Sequence, residues 1–205
     1  MGIYARLVLP RLTDLAMGSR PLAEERAALI PAVCGRVLEI GVGSGLNLPL
    51  YGAGVRRLSA LDPSLALWKL ARSRAARAVV PVEFAAGSAE HLPFETGAFD
   101  AVVTTWTLCS IPDPHAALAE VGRVLVPGGQ LFFVEHGRAP DARVRAWQDR
   151  LTPLWSRLAG GCHLNRPIEE LIARAGFRIA RIERGYAPGP RLFTYRVRGV
   201  ARIPA

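Results

Sequence analysis

Three glycines at alternate positions, Gly41, Gly43 and Gly45, sit in the stretch Glu39-Ile40-Gly41-Val42-Gly43-Ser44-Gly45-Leu46-Asn47, directly after the apolar run Arg36-Val37-Leu38. The run reads as the first strand of a sheet, and the stretch as a cofactor loop. Each glycine permits a sharp turn and a close backbone approach to a ligand, and a short helix expected over Leu46 to Tyr51 would offer its N-terminus. A dinucleotide fingerprint, G-x-G-x-x-G, needs a glycine where Leu46 stands, so that reading fits poorly. A plain strand-to-helix turn would also satisfy a glycine triplet, and the next acid weighs against it. The segment Arg57 to Leu61 ends in Asp62-Pro63-Ser64, an acid at the tip of a second strand, roughly 20 residues beyond the first glycine, where a ribose is held. A carboxylate there can accept from both hydroxyls of one sugar, which suits adenosine. Asp62 can equally cap a helix over Leu65 to Ala78 with Pro63 in its first turn, and the two roles are compatible.

Val80 to Ala86 reads as a third strand, closed by Gly87-Ser88-Ala89-Glu90-His91-Leu92-Pro93-Phe94, and Phe99 to Thr105 as a fourth. A helix follows from Pro114 to Leu125, stopped by Val126-Pro127-Gly128-Gly129 with a glycine cap, and Gln130 to Glu135 is a fifth strand. This alternation indicates a parallel, doubly wound α/β sheet. The tail departs from it: a helix over Arg143 to Leu158 broken at Gly160-Gly161, another over Pro167 to Ala175 ended by Gly176, then strands Arg178 to Tyr186 and Leu192 to Val200. The short link Ala187-Pro188-Gly189-Pro190 allows those two strands only an antiparallel pairing.

Composition bounds the class. A chain of 205 residues, half of them apolar, is one domain, 1–205, with a sizeable core. No run reaches the roughly 18 apolar residues of a transmembrane helix. The first twenty positions, broken by Arg6, Pro10, Arg11 and Asp14, lack a signal peptide's apolar region, so the reading is a soluble, cytoplasmic protein. Residues 1–33 form a helical lid with at most weak peripheral membrane contact. Cys34, Cys109 and Cys162 have neither an even count nor metal-ligand spacing, so no disulfide framework and no metal is expected. The formal charge of +9 rests on arginine, Lys69 being the only lysine, but the arginines are dispersed with no aromatic-interleaved stripe, which argues against a nucleic-acid partner.

With those motifs in order, the chain resembles the class I S-adenosylmethionine-dependent methyltransferases over essentially its whole length. The motifs are the loop Glu39 to Gly45, Asp62, Gly87 to Phe94, Phe99-Asp100 and Leu125-Val126-Pro127-Gly128-Gly129. The resemblance implies a Rossmann-like seven-stranded mixed sheet in the order 3-2-1-4-5-7-6, the last strand antiparallel, with helices on both faces. It implies S-adenosylmethionine as cofactor, leaving S-adenosylhomocysteine, held by Glu39, Gly41, Gly43, Gly45 and Asn47 at the methionine part, Asp62, Pro63 and Ser64 at the ribose, Gly87, Ser88, Ala89 and Glu90 at the adenine, and Thr105 near the methyl. Many relatives carry Asp where this chain has Ser88, so one carboxylate contact to adenine is missing.

The acceptor is harder to read, because an in-line methyl transfer needs alignment more than any universal catalytic residue. Thr105-Trp106-Thr107-Leu108 replaces the motif of exocyclic-amine methylation, and Cys109 follows leucine and reads as a small buried hydrophobe. Leu108-Cys109-Ser110, Phe133-Val134-Glu135-His136, Trp147-Gln148 leading to Trp155, and Gly161-Cys162-His163-Leu164-Asn165-Arg166 resemble the alkyl thiol methyltransferases that animals anchor to membranes, though without their long apolar N-terminal anchor. That likeness implies S-methylation of a small or hydrophobic thiol; related bacterial sequences carry lipid or quinone labels, so N-, O- or C-methylation stays open, as does a non-catalytic cofactor-binding role. His136, at the end of the fifth strand, and His163 are the candidate bases. Trp106, Trp147 and Trp155 are candidate walls of an acceptor pocket under an insertion, 137–166; Asn165 is a further candidate contact, more readily a helix cap. Glu135 is expected to orient His136 or a helix end.

Overall fold

In a computed structural model, which describes residues 9–204, apolar strands stack into a seven-stranded sheet of order β3-β2-β1-β4-β5-β7-β6. Its strands are β1 (Gly35–Ile40), β2 (Val55–Asp62), β3 (Val82–Ala86), β4 (Phe99–Thr105), β5 (Leu125–His136), β6 (Arg178–Tyr186) and β7 (Tyr195–Arg202). The first five run parallel, and β7 is antiparallel to both β5 and β6. The implied order and the reversed last strand are both observed.

The central strands are apolar on successive residues because both faces are covered. Leu38, Val102 and Phe133 point into one core with Leu118 and Val121 of α4 (Pro114–Val124) and Ile172 of α6 (Ile168–Arg174). Their neighbours Val37, Val103 and Phe132 point into the opposite core with Leu29 of α2 (Arg20–Leu29). The remaining helices are α1 (Leu9–Met17), α3 (Trp68–Ala75), α5 (Ala142–Leu158) and the single turn α7 (Arg191–Thr194). Helix α4 starts where Asp113 accepts from the His115 and Ala116 N–H groups at 3.0 and 3.1 Å, with Pro114 inside its first turn.

Several expected boundaries move. Leu46 to Tyr51 is no helix; it contains only a 3₁₀ turn, Leu48–Leu50, so the helix expected directly behind the glycine loop is absent. Helix α3 begins at Trp68 behind Leu67, so Asp62 does not cap it and Pro63 lies outside it. Helix α4 ends at Val124 because Leu125 is already extended and paired with Phe99; Gly128 instead turns the chain inside a register break before Gln130 meets Ala101. The link between β6 and β7 is longer than expected and contains α7.

The lid expected over 1–33 is described from Leu9 on, as α1 and α2; positions 1–8 lie outside the described residues. Leu29, Ile30 and Val33 anchor it in the second core, and charged contacts fasten it further. Glu25 of α2, buried, accepts from Arg196 at 2.7 Å and Arg198 at 2.9 Å of β7. Asp14 of α1 accepts from Arg74 of α3 at 2.7 Å, and the same guanidinium donates to the Ser44 carbonyl in the glycine loop at 2.8 Å. Among the described residues no helix is long and apolar enough to cross a membrane.

Candidate active site

At the carboxyl ends of β1, β4 and β5 a cavity of about 500 Å³ opens, in the size range of small-molecule sites. Open parallel sheets place ligands at this edge. Its walls come from α1 and α2 (Leu12, Met17, Leu22, Arg26), the glycine loop, the turn after β4 (Thr105 to Thr107, Cys109, Ser110), His136, and the end of α5 (Trp155, Leu158 to Gly160, Cys162).

The glycine loop is shaped by two constraints. At Gly45, φ is +81° and a Cβ would lie 2.9 Å from the Ala71 Cα of α3, so any side chain would push loop and helix apart. At Gly43, φ is +52° and the Cβ direction meets nothing closer than 3.8 Å. The Gly43 N–H donates to Asp62 Oδ2 at 2.8 Å, and Ser64 N–H donates to Oδ1 at 2.7 Å. The acid at the tip of β2 is thereby fixed against the loop. Burial pushes its pKa up, and the two backbone bonds oppose that shift.

Beneath the loop lies a buried polar cluster. Glu39 accepts from the Tyr51 hydroxyl at 2.8 Å and from Asn47 Nδ2 at 3.0 Å, while Nδ2 also reaches Thr105 Oγ1 at 3.1 Å. Asn47 Oδ1 is buried without a protein partner. Burial raises the Glu39 carboxyl to about 7, against the hydrogen bonds from Tyr51 and Asn47. Arg26, 4% exposed, lies over the Trp106 ring at 4.6 Å and donates to the Met17 carbonyl at 2.8 Å; burial lowers its pKa to about 10.

The far end is built around a tight turn. Trp106 is, among the described residues, the only non-glycine with positive φ, at 51°, and its N–H donates to the Val134 carbonyl at 2.7 Å. Glu135, fully buried, accepts from Thr107 N–H at 3.1 Å and Cys109 N–H at 3.2 Å. Its task is thus to pin the turn after β4, and the expectation that it orients His136 or a helix end is replaced. Burial raises the Glu135 carboxyl to about 7. Cys162 Sγ lies 3.7 Å from Cys109 Sγ and 3.6 Å from His136 Nδ1. Contact with Cys162, together with burial, pushes the Cys109 thiol up, while contacts with Cys109 and His136 pull the Cys162 thiol down.

A methyltransferase domain model matches residues 38–133. The chain is 32% identical over 171 residues to phosphatidylethanolamine N-methyltransferase of Cereibacter sphaeroides, covering 82% of each chain. The chain belongs to the S-adenosylmethionine-dependent methyltransferases. It is also 36% identical over 151 residues to thiol S-methyltransferase TMT1B of Rattus norvegicus, covering 72% of this chain and 62% of that relative. The chain therefore spans less than two thirds of the length of that relative. Among solved structures, N-methyltransferase NodS from Bradyrhizobium japonicum WM9 in complex with S-adenosyl-l-homocysteine shares the fold, with a TM-score of 0.71 at 20% identity over 97% of this chain and 93% of that one.

The residues present fit the methyltransferase cofactor. The orphaned Asn47 Oδ1 and the adjoining Glu39 are acceptors matched to the ammonium of its methionine part, and the Arg26 guanidinium on the same wall matches its carboxylate. Arg26 had no signal in the sequence, being one arginine among many.

Not every sequence candidate meets at this cavity. Gly87, Ser88, Ala89 and Glu90 follow β3, whose Ala86 pairs with Asp62, so they stand at the same sheet edge but do not line the cavity. Ser88 hydrogen-bonds Glu90, which also accepts from Asp113 N–H at 3.3 Å. Pro63 and Ser64 are exposed. Thr105, Trp106, Trp155 and His136 do line the cavity. His163 does not: its Nδ1 is tied to the Gly161 carbonyl at 2.7 Å, beside Arg166. Trp147 is 55% exposed on α5, with the Arg150 guanidinium 5.5 Å from its ring centre. Asn165 neither lines the cavity nor caps α6; it donates to Asp149 at 2.8 Å. The pairing of Cys109 with Cys162 was also missed, because 53 residues separate them and only the fold brings them together.

Proposed function

We propose that this methyltransferase S-methylates a small or hydrophobic thiol. The observation that carries the reading is that one cavity joins the glycine loop to Cys109, His136 and Cys162 between apolar walls. The 36% identity to thiol S-methyltransferase TMT1B supports the same acceptor class.

The bound cofactor supplies a methyl group on a positively charged sulfur. The protein's work is to hold that group still, bring the acceptor sulfur in line with it and keep water out. When the cofactor is bound, Asp62 would hold the sugar hydroxyls, Glu39 and Asn47 the ammonium, and Arg26 the carboxylate. Gly87 to Glu90, at the same sheet edge as Asp62, would flank the adenine. Trp106 and Trp155 offer apolar faces to the acceptor, and Leu158 extends that surface. A thiol with an ordinary pKa of about 8.5 must give up its proton before attack. The far end of the cavity, around His136, is where that happens.

The 32% identity to a phosphatidylethanolamine N-methyltransferase favours a second reading, amine methylation of a lipid. Incubating the purified chain with labelled cofactor and matched panels of thiols, amines, quinols and phospholipid vesicles separates the two. Labelled methyl thioether is expected; label only in lipid or quinol would defeat the thiol assignment.

A further inference from the structure

Three soft or borderline metal donors from separate segments converge at the far end of the cavity: Cys109 after β4, His136 at the end of β5 and Cys162 beyond α5. Their donor atoms all lie within 4.8 Å of one another, and among the described residues no fourth thiol, imidazole or carboxylate joins them. The approach is built into the backbone. Gly161, at φ +92°, packs so close to the Ser110 carbonyl that a Cβ would sit 2.9 Å from its oxygen. The His163 N–H donates to the Cys109 carbonyl at 2.8 Å, and Glu135 holds the Cys109 N–H from the other side. The glycine pair that breaks α5 thus serves to bring one cysteine loop against the other.

Two of the three donor–donor edges match a tetrahedral cation, and the third, Cys109 to His136, is within 4.8 Å. Bonds of about 2.3 Å to sulfur and about 2.0–2.1 Å to nitrogen imply a sulfur–sulfur edge of about 3.8 Å and a sulfur–nitrogen edge of about 3.5 Å. The corresponding distances here are 3.7 Å and 3.6 Å. Two thiolates and one imidazole form a donor set suited to zinc, and three protein ligands with one open position are the pattern of catalytic rather than structural sites. All three residues line the cavity, so a thiol in the cavity can reach a cation held among them.

We infer that Cys109, His136 and Cys162 bind one zinc-type divalent cation whose free coordination position takes the acceptor thiol as thiolate. The site rests on its own geometry; its role in activating the acceptor rests on the thiol reading above. On coordination the acceptor S–H bond breaks, the proton passes to water, and the sulfur keeps the electron pair. That pair then forms the new bond to the methyl carbon while the methyl–sulfonium bond breaks, its electrons remaining on the cofactor's sulfur. The product thioether has no charge, binds the cation more weakly than the thiolate did, and leaves.

The test is elemental analysis of the chain as purified, followed by titration of metal-stripped protein with Co²⁺, read by thiolate-to-cobalt absorption. About one equivalent of metal and a saturating charge-transfer band are expected. Cys162→Ala and His136→Ala should each weaken metal binding by more than the roughly 10–100-fold that loss of a supporting partner costs, with S-adenosylhomocysteine binding retained as the check on folding. No stoichiometric uptake, or uptake unchanged in Cys162→Ala, overturns the site. Stoichiometric metal without methylation of any thiol keeps the site and defeats the acceptor reading. Thiol methylation at full rate by metal-stripped protein keeps the acceptor reading and overturns the role of the metal.

Discussion

The two ends of the cavity are made differently. The cofactor end is assembled from neighbours in sequence: a glycine loop, braced by an acid one strand later that does not itself line the cavity, and a carboxylate and amide eight positions apart that hydrogen-bond each other. The acceptor end is assembled from side chains of three distant segments, set by one strained turn and a glycine contact. Backbone shape, which the first end depends on, tolerates few residue types. The second depends on tertiary approach, which leaves little local trace.

The comparison is most exposed at Gly45. Gly45→Val should abolish detectable binding of S-adenosylhomocysteine by calorimetry and lower the melting temperature, since a left-handed valine alone costs on the order of 1–3 kcal/mol before its clash with Ala71. Retained affinity would mean that the loop is not the binding surface. Asp62→Ala should weaken cofactor binding by about 1.5–3 kcal/mol, the range for a hydrogen bond to a charged group, and should also lower thermal stability, because the Gly43 and Ser64 N–H groups lose their acceptor. An unaltered dissociation constant would take the acid out of the site. His136→Ala should do the reverse, cutting turnover on the best thiol while leaving cofactor affinity in place; equal losses in both would erase the boundary between the two ends.

A pH measurement sharpens the cofactor end. Glu39 has its folded-state pKa raised to about 7 from 4.5 by burial, so it is neutral at mildly acid pH. Its contribution to the stability of the free protein is fully present below its unfolded pKa and is lost as pH rises through about 7. A bound ammonium favours the charged form. Cofactor affinity should therefore increase with pH up to about 7, by up to about tenfold per unit, with proton release detected by calorimetry in buffers of different ionisation enthalpy. A flat profile would separate Glu39 from the ligand. The smallest effects belong to His163→Ala and Trp147→Ala. Both side chains lie off the cavity walls, so neither should change turnover, and Trp147→Ala should stay within about 0.5 kcal/mol in stability.

The parallel α/β pattern and the antiparallel terminal pair were legible in the apolar runs and the short terminal link, whereas the strand order came from the family resemblance that the ordered motifs carry. Helix boundaries were less so: Leu46 to Tyr51 has helical residues, yet Pro49 and the packing of Leu48 and Tyr51 leave only one 3₁₀ turn. The tryptophans of α5 show the limit at the site. Trp147 and Trp155 are eight residues apart, roughly 80° around a helix, so one faces the cavity and the other water. Nothing in composition chooses between them. Likewise His136 and His163 look equivalent until the Gly161 carbonyl is seen to occupy one of them.

Glu25 carries a consequence of a different kind. By clamping Arg196 and Arg198 it fastens the helix bearing Arg26 to the final strand, across 171 and 173 positions of sequence. Clipping the chain ahead of β7 would thus unlatch a wall at the opposite end of the polypeptide, and methyl-donor capture would fail through residues that lie outside the binding chamber.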